Sequence, residues 1–381
     1  MTRRQFAATT LAACTFSPTL RAQGDISLKN EVQAAIDKGV KFLKSRQNAA
    51  TGSIGDPKYP ALTALAASAI MGNPVTDADK APAEAVKAYD FLLSQQKPDG
   101  GIYDTALPNY NTALSLSALT MINGERYREA AIRARRPLIS YQTPESGDAG
   151  ADASLVGGIG YGNKPSADMS NTHFALEALH LSKKLLADDP DRAKKEPQLN
   201  YAAAIKFVSR CQNLSATNDQ SWVSDDPKNK GGFVYKPGDS KAGTDDLGNG
   251  KKAVRSYGSI GYAGLLAFIY SEVKAGDPRV LAVREWLAKN YTVTENPGIG
   301  QEGLFYYYHT MAKALGLSRT ERVELADGKQ ANWRLDLSRQ LFNVQNTDGS
   351  FSNPTGRWME KDPDLTTSYA TLALEHVIRG L

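Results

Sequence analysis

Cysteine, net charge and long apolar runs are all scarce in this chain of 381 residues, and each shortage removes a class of function. Cys14 and Cys211 are the only cysteines, too few for the disulfide framework that staples small secreted domains. Lys plus Arg number 45 against 41 acidic residues, a formal +4 with no long run of either sign, so nucleic acid is not indicated as a partner. No apolar run approaches the length that crosses a bilayer, which leaves no transmembrane segment. With 41% hydrophobic residues the chain can bury a sizeable core, but its length fits either one large domain or two to three ordinary ones.

What is present begins with Thr2-Arg3-Arg4-Gln5-Phe6, followed by a short apolar run from Ala7 to Phe16. This reads as a twin-arginine export signal. Cleavage after Ala22 removes Arg3, Arg4 and Arg21 and no acid, so the mature chain, 23–381, is nearly neutral and destined for the periplasm or secretion. Leu11-Ala12-Ala13-Cys14 admits a second reading, because it resembles a bacterial lipobox in which Cys14 becomes a lipid anchor. With the signal removed Cys211 remains alone, and one thiol makes no intramolecular disulfide.

The mature chain is an internal repeat with a period of about 50 to 65 residues. Each unit is an amphipathic helix, a Gly-containing turn and a second helix rich in small residues. In the clearest copy, "AVKAYDFLLSQQ" places Val86, Tyr89, Leu92 and Leu93 at helical spacing, "KPDGGIYDT" turns, and "NTALSLSALTMI" resumes the helix. Five further copies follow the same plan, the first over 39–70 and the last ending in "TTSYATLALEHVI". The fourth carries a long polar insertion, 215–255, which is either a lid or a solvated loop.

The first helix of each pair carries Lys, Arg and Asp on one face and belongs outside, whereas its partner is nearly uncharged and suits burial among close neighbours. Such pairs form either an open solenoid or a closed ring. Open arrays end in polar caps, and here the last inner helix stops at Leu381 with none to follow. The expected fold is therefore an all-α single domain, an (α/α)6 toroid of six inner and six outer helices.

Two turns, Gln96-Lys97-Pro98-Asp99-Gly100-Gly101-Ile102 and Gln345-Asn346-Thr347-Asp348-Gly349-Ser350-Phe351, carry a resemblance. They resemble the Gln-x-x-x-Gly-x-Trp repeat of squalene and oxidosqualene cyclases, shared more loosely with protein prenyltransferase β subunits. Ile102 and Phe351 stand where Trp is usual, and looser copies with insertions begin at Gln47, Gln142 and Gln212. The resemblance implies the toroid more firmly than any chemistry.

"DMSNTHFAL" resembles the cyclases' Asp-x-Asp-Asp-Thr motif, whose middle Asp protonates an alkene or epoxide. Asp168 stands on the first Asp, Ser170 on the acid, Asn171 on the next Asp and Thr172 on the Thr. A Ser hydroxyl cannot protonate an alkene at neutral pH, so ordinary class II cyclisation is disfavoured. The prenyltransferase resemblance implies a zinc site of Asp, Cys and His, but Val254 and Ser256 occupy the first two positions, and His309 in "YYYHTMAKAL" is left alone. "GIGQEGL" lacks the Cys that a thioester domain needs.

In a closed ring the inner-helix N-termini meet at one mouth, which suits a polar or anionic group above an apolar cavity. The residues placed there are Asp168, Ser170, Asn171, Thr172, His173, Ser256, Tyr257, Tyr307, His309, Thr366 and Ser368. His309 and Asp168 are the catalytic candidates, the others candidates for binding substrate. Ser170, Asn171, Thr366 and Ser368 are also ordinary capping types, and Asp168 could do no more than neutralise a helix dipole. Tyr306-Tyr307-Tyr308 spans too wide an arc for all three rings to be buried alike. A metal pair of His173 and His309 would lack a third ligand, and no metal or cofactor is assigned. Three functions remain: an enzyme or binder for an isoprenoid or other lipid-like molecule, an enzyme acting on a glycan, and a scaffold for another exported protein. The first requires a deep apolar pocket, the second an open groove with paired carboxylates, the third a filled centre with an apolar outer patch.

Overall fold

The computed structural model describes residues 18–145 except 78, then 152–162, 166–248 and 250–381. Cys14 and most of the expected signal lie outside the described residues, and the first helix, α1 (Pro18–Ser45), runs through the expected cleavage position at Ala22. No described helix is long and apolar enough to cross a membrane.

Six helices form an inner ring: α2 (Pro60–Gly72), α4 (Pro108–Leu119), α6 (Met169–Leu181), α9 (Gly258–Tyr270), α11 (Leu304–Leu317) and α13 (Pro363–Ile378). Each packs against the next in that order, and α13 packs against α2, which closes the ring. Small side chains make this possible: Ala61, Ala64, Ala66, Ala67 and Ala69 of α2 are all fully buried, so neighbours approach on every side. Pro begins α2, α4 and α13, where its missing N–H costs nothing and its fixed φ suits the first turn.

The outer ring consists of α1, α3 (Ala83–Ser94), α5 (Glu125–Ser140), α8 (Tyr201–Arg210), α10 (Pro278–Lys289) and α12 (Trp333–Val344). A short extra helix, α7 (Pro190–Lys195), precedes α8 and is not anticipated by the repeat pattern. Within the insertion, β1 (Thr244–Gly248) and β2 (Lys251–Val254) pair as an antiparallel hairpin.

The turn glutamines hold the outer ring together. Each Gln amide has two N–H donors. Gln96 gives one to the Gly100 carbonyl of its own turn and one to Ala130 of the next outer helix, at 2.9 and 2.8 Å. Gln47 bonds Gly52 and Glu84 in the same way, Gln142 bonds Gly157 and Asn200, and Gln212 bonds Gly231 and Arg279. The three looser copies of the repeat are thus structurally equivalent to the two clear ones. Gln345 bonds Gly349 at 3.1 Å and Ala35 at 3.0 Å, joining the last turn to the first helix. The fifth repeat lacks the glutamine, and Tyr291 Oη donates to Asp336 of α12 at 2.8 Å instead.

The glycine of this motif is required twice over. Gly349 has φ +91°, and a Cβ there would run into the Lys38 carbonyl; Gly157, at φ +87°, faces the Ala203 carbonyl in the same way. The threonines in the first turns of α2, α4 and α6 complete the turns before those helices. Thr63 Oγ1 accepts from Ile54 N–H at 2.9 Å and donates to the Ile54 carbonyl at 3.0 Å. Thr112 grips Ile102 and Thr172 grips Ile159 in the same two-handed way.

Candidate functional site

The first turns of all six inner helices meet at one end of the ring around a cavity of about 310 Å³. Leu62, Tyr110, Phe174, Ile260, Tyr306 and Tyr369 each come from a different inner helix and line it. Nine of its nineteen lining residues are aromatic, so π faces rather than aliphatic groups dominate the wall. The residues at its rim include Leu107, Trp358 and Met359, all non-glycine residues at positive φ (49°, 54° and 66°). Backbone strain at a cavity entrance is characteristic of a functional clamp.

Of the residues placed at the mouth from sequence, Ser170, Asn171 and Tyr257 line the cavity. Asp168 stands directly behind them as the N-cap of α6: Oδ1 accepts from the Asn171 N–H at 2.9 Å and Oδ2 from Asn171 Nδ2 at 2.8 Å. Asn171 Oδ1 in turn accepts from Asn109 Nδ2 of α4 at 3.2 Å. This answers what the Asp-x-Ser-Asn-Thr segment does locally. Asp168 caps, Asn171 braces α6 against α4, Thr172 grips the preceding turn, and Ser170 faces the cavity beside Tyr306. Burial pushes the Asp168 carboxyl above its usual range, opposed by the Asn171 hydrogen bonds.

The other candidates are held away from the cavity lining by identifiable bonds. Ser256 Oγ donates to the Asn229 carbonyl and accepts from Asn213 Nδ2, both at 3.0 Å. Tyr307 Oη donates to the Thr292 carbonyl at 2.7 Å on the outer side of α11, and the ring that enters the cavity is Tyr306, one residue earlier. Thr366 Oγ1 donates to the Phe351 carbonyl and Ser368 Oγ to the Asp364 carbonyl, at 2.5 and 2.7 Å.

His173 and His309 lie deeper along the same helices, beneath the cavity floor. His173 Nδ1 is 3.3 Å from the Ser170 carbonyl and 3.5 Å from Tyr306 Oη, while Nε2 is 3.9 Å from Glu177. Burial lowers its pKa to about 4. His309 is buried with neither ring nitrogen hydrogen-bonded, and its ring stacks on Tyr369 at 5.2 Å. Burial, with Lys313, His376 and His173 nearby, holds it neutral far below its ordinary range. Among the described residues no three His, Cys, Asp or Glu side chains converge to hold a metal ion.

The position of His309 has a testable consequence. Its pKa in the folded protein is depressed, so the unfolded chain binds the extra proton, and stability falls as pH drops below about 6.5. The loss is about 1.4 kcal/mol per pH unit for as long as only the unfolded state is protonated. Burial depresses His173 and His376 as well, so His309→Leu should remove one histidine's share of that acid limb rather than all of it, and leave stability at pH 8 within about 1 kcal/mol, as read by urea unfolding at several pH values. An unchanged acid limb would mean that the ring is solvated.

Sequence reasoning missed Glu360. It lies in the loop before α13, is 1% exposed and lines the cavity. Oε1 accepts from the Tyr306 N–H at 2.9 Å and Oε2 from Asn353 Nδ2 at 2.7 Å. Gly303 precedes α11 and has no side chain to cap it, so the Glu360 carboxyl does so from the loop before the adjacent helix α13. Burial raises the Glu360 pKa, against these donors and the Phe305 and Leu304 N–H groups. No local pattern marks "WMEKD" for this role.

Of the polar or anionic group expected at the mouth, the anionic alternative is disfavoured. Protein groups already accept from N–H groups in the first turn of every inner helix: Asn111 for α2, the Tyr161 carbonyl for α4, Asp168 for α6, Asn296 for α9, Glu360 for α11 and Asp362 for α13. Two of these acceptors, Asp168 and Glu360, are carboxyls beside the cavity, and no lining residue is basic.

No family model matches the sequence, and no curated protein matches it. Solved structures do match in shape. A variant of the type II terpene cyclase MstE from Scytonema, in complex with the substrate geranylgeranyl dihydroxybenzoate, aligns with a TM-score of 0.53 at 14% identity, over 93% of this chain and 100% of that one. Another variant of that enzyme, in complex with the product merosterolic acid A, gives 0.51 at 13% identity, over 93% and 99% of the two chains. The enzyme without ligand gives 0.50 at 14% identity, over the same shares. At such identity the likeness speaks for the fold alone: the chain has an all-α toroid fold similar to that of this terpene cyclase.

Proposed function

We propose that the protein binds an isoprenoid or other lipid-like molecule in the cavity at the mouth of its inner ring. The observation that carries this reading is the wall itself: about 310 Å³ of space lined mainly by aromatic and aliphatic side chains, with Ser170, Asn171, Ser259 and Glu360 as its non-aromatic polar groups. A volume near the lower end of the usual range for ligand pockets, roughly 300–1,000 Å³, favours a compact chain. The solved neighbour in complex with geranylgeranyl dihydroxybenzoate supports the same class of ligand. A glycan-cleaving site would call for an open groove with two facing carboxylates, and one carboxyl, that of Glu360, lines this cavity.

Any reaction at this site proceeds without the usual cyclase acid, because Ser170 stands in its place and its hydroxyl is far too weak an acid to protonate an alkene at neutral pH. Asp168 is occupied as a cap, and His309 lies behind Tyr369. The Arg3-Arg4 signal supports encounter with the ligand after export. A farnesyl chain bearing a photoreactive diazirine tests the reading: the protein should retain it and release it to excess unlabelled isoprenoid. Failure to retain it, together with binding on a glycan array, would overturn the proposal.

A further inference from the structure

A cavity that binds hydrocarbon needs no carboxylates, yet two are set against this one. Glu360 is part of the wall beside α11 and α13, and Asp168 sits behind Asn171 and Ser170 at the start of α6, on the opposite side of the mouth from α13. Both are almost wholly buried, 1% and 3% exposed, so water screens them little. Capping alone does not demand a carboxyl, since Asn296 and Asn111 perform the same task at α9 and α2 with amide side chains. The helix ends, which would otherwise make the mouth positive, have their first-turn N–H groups engaged.

The remaining wall points the same way. Tyr110, Tyr306 and Tyr369 present rings to the cavity from three inner helices, and Tyr257 and Trp358 enclose it from the loops. The negative faces of such rings attract organic cations when water is excluded. Two positive side chains lie over rings of lining residues: Lys241 over Tyr235 at 4.2 Å, and Arg357, which pairs with Glu302, over Trp358 at 4.4 Å. No lysine, arginine or histidine is among the lining residues.

We infer that the ligand of this cavity is a lipid-like molecule carrying a permanent cationic centre of the quaternary ammonium kind, with Glu360 as its principal counter-charge and the tyrosine rings as its cage. The inference rests on the reading of the cavity as a lipid-like binding site and adds the charge of the head group. A trimethylammonium group suits the geometry because it has no N–H to donate. It needs negative potential and close π faces rather than hydrogen-bond acceptors, and the cavity supplies those two features.

The test uses the full-length protein loaded with the diazirine farnesyl chain and three competitors sharing one octyl tail, with trimethylammonium, neutral tert-butyl or sulfonate heads, all below micellar concentrations. The ammonium compound should displace the farnesyl chain at about tenfold lower concentration than its tert-butyl isostere, with the sulfonate weakest. Equal displacement by the ammonium and tert-butyl compounds, preference for the sulfonate, or no displacement by any of the three overturns the inference while retention of the farnesyl chain leaves the lipid-binding reading standing. Failure to retain the farnesyl chain at all sinks both. Glu360→Gln keeps an acceptor for the Tyr306 N–H and should reduce the ammonium preference over the tert-butyl compound to under about threefold. Because the head-group comparison is made on the unaltered protein, a poorly folded variant would not weaken it.

Discussion

Truncating Glu177 to Ala should destabilise the protein by about 3–5 kcal/mol, one of the two largest effects expected of any single change. Glu177 Oε1 accepts from Lys313 Nζ at 2.7 Å in the middle of the inner ring, where α6 faces α11, and both residues are buried. Removing the carboxylate leaves an ammonium group without a partner beneath an aromatic floor. His173 and His309 offer little relief, since each is held neutral by burial and His309 points no nitrogen at a partner. The pair itself need not stabilise the fold, because two desolvated charges recover little beyond their hydration. Glu177→Leu combined with Lys313→Met should therefore restore most of what Glu177→Ala loses. Denaturant unfolding of the single and double variants checks this. A single variant as stable as the parent would mean that water reaches Lys313.

Gly349→Ala should cost about 3 kcal/mol or more, combining a positive φ that disfavours any Cβ with a clash against backbone that has no room to yield. Gly349 sits where the last turn meets α1, and the Lys38 carbonyl fills the space a methyl would need. The neighbouring Gln345 bonds to Gly349 and Ala35 span the same seam. The loss should appear as lower stability and as faster proteolysis within α1, since the substitution opens the outer ring at the junction of chain start and chain end. Gly243→Ala is the natural control: it also has positive φ, but nothing lies within contact distance of its Cβ, so it carries backbone strain alone. Equal losses in the two variants would show that the seam contributes nothing.

The architecture was legible in the chain because the repeat is written in residues whose jobs are local. Each Gln-to-Gly spacing closes one turn, and each inner-helix Thr that grips the turn does so within its own unit, so even the loose copies at Gln142 and Gln212 kept their bonds. The cavity was legible only in part. Ser170, Asn171 and Tyr257 were found because they start inner helices, but the rotation of a helix about its axis is set by packing, and an error of one residue turns a side chain by about 100°. That is why Tyr306 faces the cavity while Tyr307 and Tyr308 donate to carbonyls of the 292–293 segment outside it. Thr366 and Ser368 show the same limit: the pattern placed them on the right helix, and their hydroxyls bond backbone rather than ligand. Glu360 was invisible for a different reason. Its role comes from the N-terminus of α11, 54 residues away in sequence, and no spacing rule connects a loop carboxylate to a helix that lacks a capping side chain. The polarity of the mouth depended on that one residue and on Asp168, so the charge of the site could not be read before the ring was assembled.

The most direct test of the account is where the diazirine farnesyl chain lands after illumination. Peptide mapping should find adducts on segments distant in sequence, those carrying Tyr110, Phe174, Tyr306 and Tyr369, with labelling suppressed by unlabelled isoprenoid. Adducts confined to a single repeat or to exposed outer helices would contradict the claim that ring closure creates one shared ligand chamber.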